Sequence, residues 1–180
     1  MSKRDAVRDV IIYGVFFFYL LLLVQILLFS RVQIFLGYDG QTNLYRSINI
    51  IPFHSIMQCF AASPTVAFAY GNAIGNLLLF FPLGTYLTVL KKDKRTPIIL
   101  MILFIASFSV EVIQGLFGLG TADIDDVILN CLGGLFGVFV YKLLSLILHD
   151  ERKIRTVIAV LSGMGFPVVF YLLFIMKMRF

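Results

Sequence analysis

Apolar runs of helix length, separated by short charged clusters, set the plan of this chain. Val10 to Ser30 is uncharged for 21 residues, close to the ~20 that a helix needs to cross ~30 Å of hydrocarbon. Its basic lead-in, Lys3, Arg4 and Arg8, resembles that of a signal peptide. However, the run exceeds an ordinary signal core, and Arg31-Val32-Gln33 follows instead of a small-x-small cleavage site. A retained first helix reaching toward Leu36 is expected. Thr65 to Leu90 is a second run, without charge over 26 residues, and Lys91-Lys92-Asp93-Lys94-Arg95 stops it. Thr96 to Ala122 is a third, interrupted only by Glu111. A fourth helix is expected from near Asp123 to Leu148. A fifth uncharged run of 21 residues spans Thr156 to Met176. The pattern predicts an all-α polytopic transmembrane helix bundle of about five spans, in a single membrane domain over 1–180.

The connection from Gly37 to Pro64 is the long one and is too apolar for a solvated loop. Ile48 to Phe60 is expected to lie along the membrane interface or to dip in as a re-entrant piece. Irregular backbone is tolerated at depth only under a cover of protein or water.

Polar residues inside the runs fall in register. Ser107, Glu111, Gln114 and Gly118 follow at i, i+4, i+7 and i+11, one narrow face of a greasy helix. Asp123, Asp126 and Asn130 share a face at i, i+3 and i+7, continued by Gly133, Gly134 and Gly137. Gly133 and Gly137 form a GxxxG, which allows a second helix to approach closely. Asn72 and Asn76 are four apart and share a face. Pro82 should kink or break the second helix. Each feature also has a plain structural reading. The two asparagines can merely join helices, and Asp123 can be an ordinary N-cap. Asp125 lies off the shared face and is expected to be solvated. Pro82 and Gly84 fit kink geometry, and His54 is a lone loop histidine without a special role.

Composition supports the membrane reading. The 180 residues are 60% hydrophobic and 14% charged, with a mean hydropathy of +0.96, whereas soluble domains are about a quarter charged. The net charge of +5 does not indicate nucleic acid, because the basic residues lie in clusters between apolar runs. With the N-terminus cytoplasmic, ten Lys and Arg fall in inner segments and four in outer ones, which predicts an extracytoplasmic C-terminus. That topology puts Asn72, Asn76, Glu111, Gln114, Asp123, Asp126 and Asn130 in the outer leaflet, with Glu111 about 10 Å deep. Cys59 and Cys131 have no metal or redox spacing and read as small apolar residues.

These residues carry a resemblance to the VanZ-like membrane protein family, over about 13–141. Its elements match Asn49-Ile50-Ile51-Pro52-Phe53, then Asn76 through Pro82-Leu83-Gly84. They continue with Ser107 and Glu111-Val112-Ile113-Gln114, then Asp123-Ile124-Asp125-Asp126 with Asn130 and Gly133-Gly134. The resemblance implies a multi-pass bacterial cell-membrane protein whose family is linked to resistance to the glycopeptide teicoplanin and to the cell envelope. It brings no defined enzymatic activity. Many members carry an arginine in the turn before the acidic motif. Here Gly120-Thr121-Ala122 stands there, and Arg46 is the expected substitute partner.

Two readings of function stay open. In the first, Asn49, Pro52, Phe53, Asn72, Asn76, Glu111, Gln114, Asp123, Asp126 and Asn130 line a pocket. It would bind a lipid headgroup, a cell-wall precursor, a glycopeptide or another amphiphile, because carboxylates and amides accept from ammonium and hydroxyl donors. In the second, an intramembrane enzyme uses Glu111 as general base on a lipid-linked substrate, with Asp126 and Asp123 as acid or Mg²⁺ ligands. Against the second, there is no nucleophile–histidine pair, no zinc motif and no basic cluster for phosphate. No cofactor is expected. The partners expected are membrane lipids, and no nucleic acid.

Overall fold

The computed structural model describes residues 3–29, 48–58, 66–91, 95–117 and 122–179. Helix α1 (Lys3–Val24) passes into a π-helical turn, Gln25–Phe29. A two-residue strand, β1 (Ile48–Asn49), leads to a short helix, α2 (His54–Gln58). Then come α3 (Val66–Leu90), α4 (Thr96–Phe117), β2 (Ala122–Asp123), α5 (Ile124–Leu148) and α6 (Glu151–Arg179).

The four uncharged or nearly uncharged runs before residue 149 become four helical stretches long and apolar enough to cross a membrane: Asp5–Leu28, Tyr70–Leu90, Thr96–Phe117 and Ile124–Leu148. Large apolar side chains stand exposed along them, among them Phe17, Leu21, Phe104, Phe136 and Phe139. Apolar surface turned outward is the arrangement that lipid favours. The protein is an all-α helical membrane protein. The fifth predicted run, Thr156–Met176, lies inside α6, a single 29-residue helix that continues through Pro167.

The chain divides into two compact units, residues 1–23 with 142–180, and residues 24–141. In the first unit, Arg155 Nη2 lies 3.1 Å from Asp9 Oδ1, and Arg8 pairs with Asp5 at 3.1 Å. The beginnings of α1 and α6 are therefore side by side. The intervening chain must cross the membrane an even number of times, as four spans do.

In the second unit, α3 and α5 approach backbone to backbone. A Cβ at Gly133 would fall 2.2 Å from the Leu77 carbonyl oxygen, and one at Gly137 would fall 2.1 Å from that of Phe81. Both partners advance by four, so the helices run parallel along this seam. From α3, a Cβ at Gly84 would fall 1.9 Å from the Gly134 oxygen. Glycine is required because any side chain would force the backbones apart. Gly84 thus serves helix approach. Pro82 does not break α3, which is continuous to Leu90. Beyond the proline, Thr85 Oγ1 donates to the Gly137 oxygen at 3.2 Å and Thr88 Oγ1 to the Gly84 oxygen at 2.7 Å.

Candidate functional site

The site stands at the end of the second unit where α5 begins. It is built by four elements. On α4, Ser107, Glu111 and Gln114 are all buried, as their i, i+4, i+7 spacing predicts. On α5, Asp125, Asp126 and Asn130 are buried, and Asp123 precedes its first turn. Asn72 and Asn76 come from α3. The fourth element is a strap, residues 49–56, that enters through β1. Its parallel ladder with β2 pairs Ile48 with Ala122 and Asn49 with Asp123.

Asp123 is a hub. Its Oδ1 accepts the Asp125 N–H at 2.9 Å, the bond of an N-cap that satisfies an otherwise orphaned first-turn donor. The same oxygen accepts Asn49 Nδ2 at 3.1 Å, and Oδ2 accepts the Ser55 hydroxyl. The Asp123 N–H donates to Glu111 Oε2 at 2.9 Å, which fastens α4 to the start of α5. Asp123 is therefore an N-cap and also the junction of α4, α5 and the strap.

Asp125 corrects the sequence reading. Expected in solvent, it is fully buried. Its carboxylate accepts three backbone N–H groups of the strap: Phe53 at 2.5 Å, Ser55 at 2.7 Å and Ile56 at 3.1 Å. Helical periodicity places Asp125 off the face shared by Asp126 and Asn130, and that placement is right. What lies on its own side is a segment about 70 residues earlier, which periodicity cannot reveal. Ser55 was missed for the same reason.

Deeper in, Asn72 Nδ2 donates to Asp126 Oδ1 at 2.8 Å, joining α3 to α5. Asn130 Nδ2 donates to Ser107 Oγ at 2.9 Å, joining α5 to α4. In the other direction, past Glu111 toward the end of α4, Gln114 Nε2 donates to the Leu27 carbonyl at 2.8 Å, reaching the π-helical turn. A backbone carbonyl has no sequence signature, so this partner was not foreseeable. Three buried amide atoms carry no hydrogen-bond partner: Asn76 Nδ2, Gln114 Oε1 and Asn130 Oδ1. Asn76 and Asn130 lie one turn beyond the Asn72–Asp126 bond along parallel helices, so they occupy a common level. The glycine seam begins below them.

Of the predicted residues, Asn49, Asn72, Asn76, Glu111, Gln114, Asp123, Asp126 and Asn130 converge here. Pro52 and Phe53 belong to the strap, with their side chains exposed and outside the polar network. His54 is exposed. The expected partner Arg46, the glycine turn at 118–121 and Cys59 lie outside the described residues. Among the described residues, no group of three His, Cys, Asp or Glu is placed to hold a metal ion. Asp123 is already engaged by protein donors on both oxygens.

Residues 16–145 match the model of the VanZ/LLP1 family. The chain is also 30% identical over 115 residues to Protein VanZ of Enterococcus faecium. That alignment covers 64% of this chain and 65% of the relative, so the match spans somewhat less than two thirds of the relative's length. No solved structure matches.

Proposed function

This chain belongs to the VanZ/LLP1 family, and from that premise we propose that it acts at the outer leaflet of the cell membrane in resistance of the teicoplanin type. It does so by holding the polar part of a lipid, cell-wall precursor or glycopeptide amphiphile among α3, α4 and α5. The extracytoplasmic placement rests on the ten-to-four distribution of Lys and Arg. The observation that carries the binding reading is the trio of unpartnered amide atoms on Asn76, Gln114 and Asn130. A buried donor or acceptor left unmade costs about 1–3 kcal/mol, and a hydroxyl-bearing guest supplies both kinds of partner. Glu111 lies one turn from Gln114 and Asp126 one turn from Asn130, and their carboxylates favour a guest rich in donors.

Against the enzymatic alternative stands Asp123. Its two oxygens accept Asn49, Ser55 and the Asp125 N–H, which leaves Glu111 and Asp126 alone for acid–base or metal work.

The test is teicoplanin susceptibility of cells expressing the chain, together with mass spectrometry of lipids that copurify with it. Glu111→Gln should abolish both protection and the retained species while the protein remains in the membrane. Divalent-metal-dependent turnover of a lipid-linked substrate by the purified protein would replace the binding reading with the enzymatic one.

A further inference from the structure

We propose that the tip of the strap, Ile50 to Phe53, is a wedge seated in the bilayer at the boundary of headgroups and acyl chains, and that Asp125 is the residue that positions it. This inference is independent of any ligand.

Depth is the first argument. Helix α5 has 25 residues, or about 37 Å at 1.5 Å per residue, against ~30 Å of hydrocarbon. Its first turn therefore reaches the interface. The strap is tied to that turn by Asp125 and Asp123, so the tip shares its level.

Surface chemistry is the second. Ile50 is 73% exposed, Ile51 66%, Phe53 55% and Met57 69%. Four large apolar side chains within eight positions would leave a continuous patch in water, at about 25 cal/mol per Å² of apolar area.

The backbone supplies the third argument, which separates a wedge from an ordinary loop. Each N–H from Ile51 to Met57 has a partner inside the protein. Ile51 donates to Asn49 Oδ1, and His54 to the Ile51 oxygen. Phe53, Ser55 and Ile56 donate to Asp125. Met57 donates to the Phe53 oxygen, and Pro52 has no N–H. A loop in water needs none of this, because water satisfies its donors. A loop leaving water needs all of it. Phe53 also holds φ at 66°, a left-handed conformation that is unfavourable for such a residue. The Asp125 bond to its N–H helps to fix that geometry, with the ring outward.

The chain has no tryptophan, so an introduced indole is a clean reporter. Ile51→Trp in the full-length protein would be reconstituted into phosphatidylcholine vesicles carrying lipids brominated near the carbonyls or near the chain ends. Iodide would be the aqueous quencher. Phe104→Trp, on the exposed mid-span face of α4, is the deep reference. Expected is stronger quenching of the strap indole by shallow bromines than by deep ones, with iodide weak, and the opposite bromine order for the reference. Dominant iodide quenching would overturn the wedge. So would protection from both bromines and iodide, which would mean a protein cover. Adding Asp125→Ala should lower the ratio of lipid to iodide quenching at least twofold, with helix content by circular dichroism retained. An unchanged ratio in the folded double variant would overturn the positioning role. If that variant does not fold, Asp125→Asn, which keeps one acceptor oxygen, gives the same readout.

Discussion

Along α3 and α5, the turns that carry Asn72, Asn76, Asp126 and Asn130 differ in kind from those that carry Gly84, Gly133 and Gly137. At the glycine end, a single added methyl group would overlap a backbone oxygen. At the polar end, the Asn72 amide bonds the Asp126 carboxylate, and neighbouring amides keep unused donors and acceptors. The first end has no space for adjustment and fixes the geometry. The second has hydrogen-bonding capacity left over. A rigid glycine seam beside unpartnered buried amides holds those amides in place during folding, so the cost of ordering them is met before any partner arrives.

The contrast makes ordered predictions. Gly133→Ala should be the most damaging, at about 3 kcal/mol, because the clash is with backbone that cannot rotate away. Unfolding in mixed detergent and dodecyl sulfate would measure it, and a cost under 1 kcal/mol would mean the seam is looser than described. Asp126→Ala should cost less, about 2 kcal/mol, by depriving the Asn72 amide of its acceptor. Asn76→Leu should sit lowest, within about 0.5 kcal/mol of the parent or slightly above it, because an unpaired polar atom is exchanged for an apolar one. The same variant should lose teicoplanin protection. Stability that fell as far as for Gly133→Ala would show Asn76 to be a structural bond, and the contrast between the two ends would fail.

Much of this was legible in the chain. The uncharged runs became helices because length and apolarity alone decide what spans a bilayer. The face of Ser107, Glu111 and Gln114 was visible because helical period is a local property. The GxxxG of Gly133 and Gly137 likewise announced a close partner. Three things were not legible. Asp125 was placed in solvent because its partners arrive from another part of the chain. Leu27 contributes a carbonyl, which every residue has. Pro82 was expected to kink or break α3, and the helix continues through it to Leu90 without a break. Local periodicity identifies faces, and only long-range pairing says what covers them.

The β1–β2 ladder also sets a timetable for biogenesis. It joins Ile48 to Ala122 and Asn49 to Asp123, partners separated by 74 residues of synthesis. At ~5–20 residues per second, the strap leaves the ribosome about 4–15 s before its anchoring carboxylates exist. Throughout that interval, its donors must be met by water or by the insertion machinery. Docking is thus a late event that waits for synthesis of the start of α5.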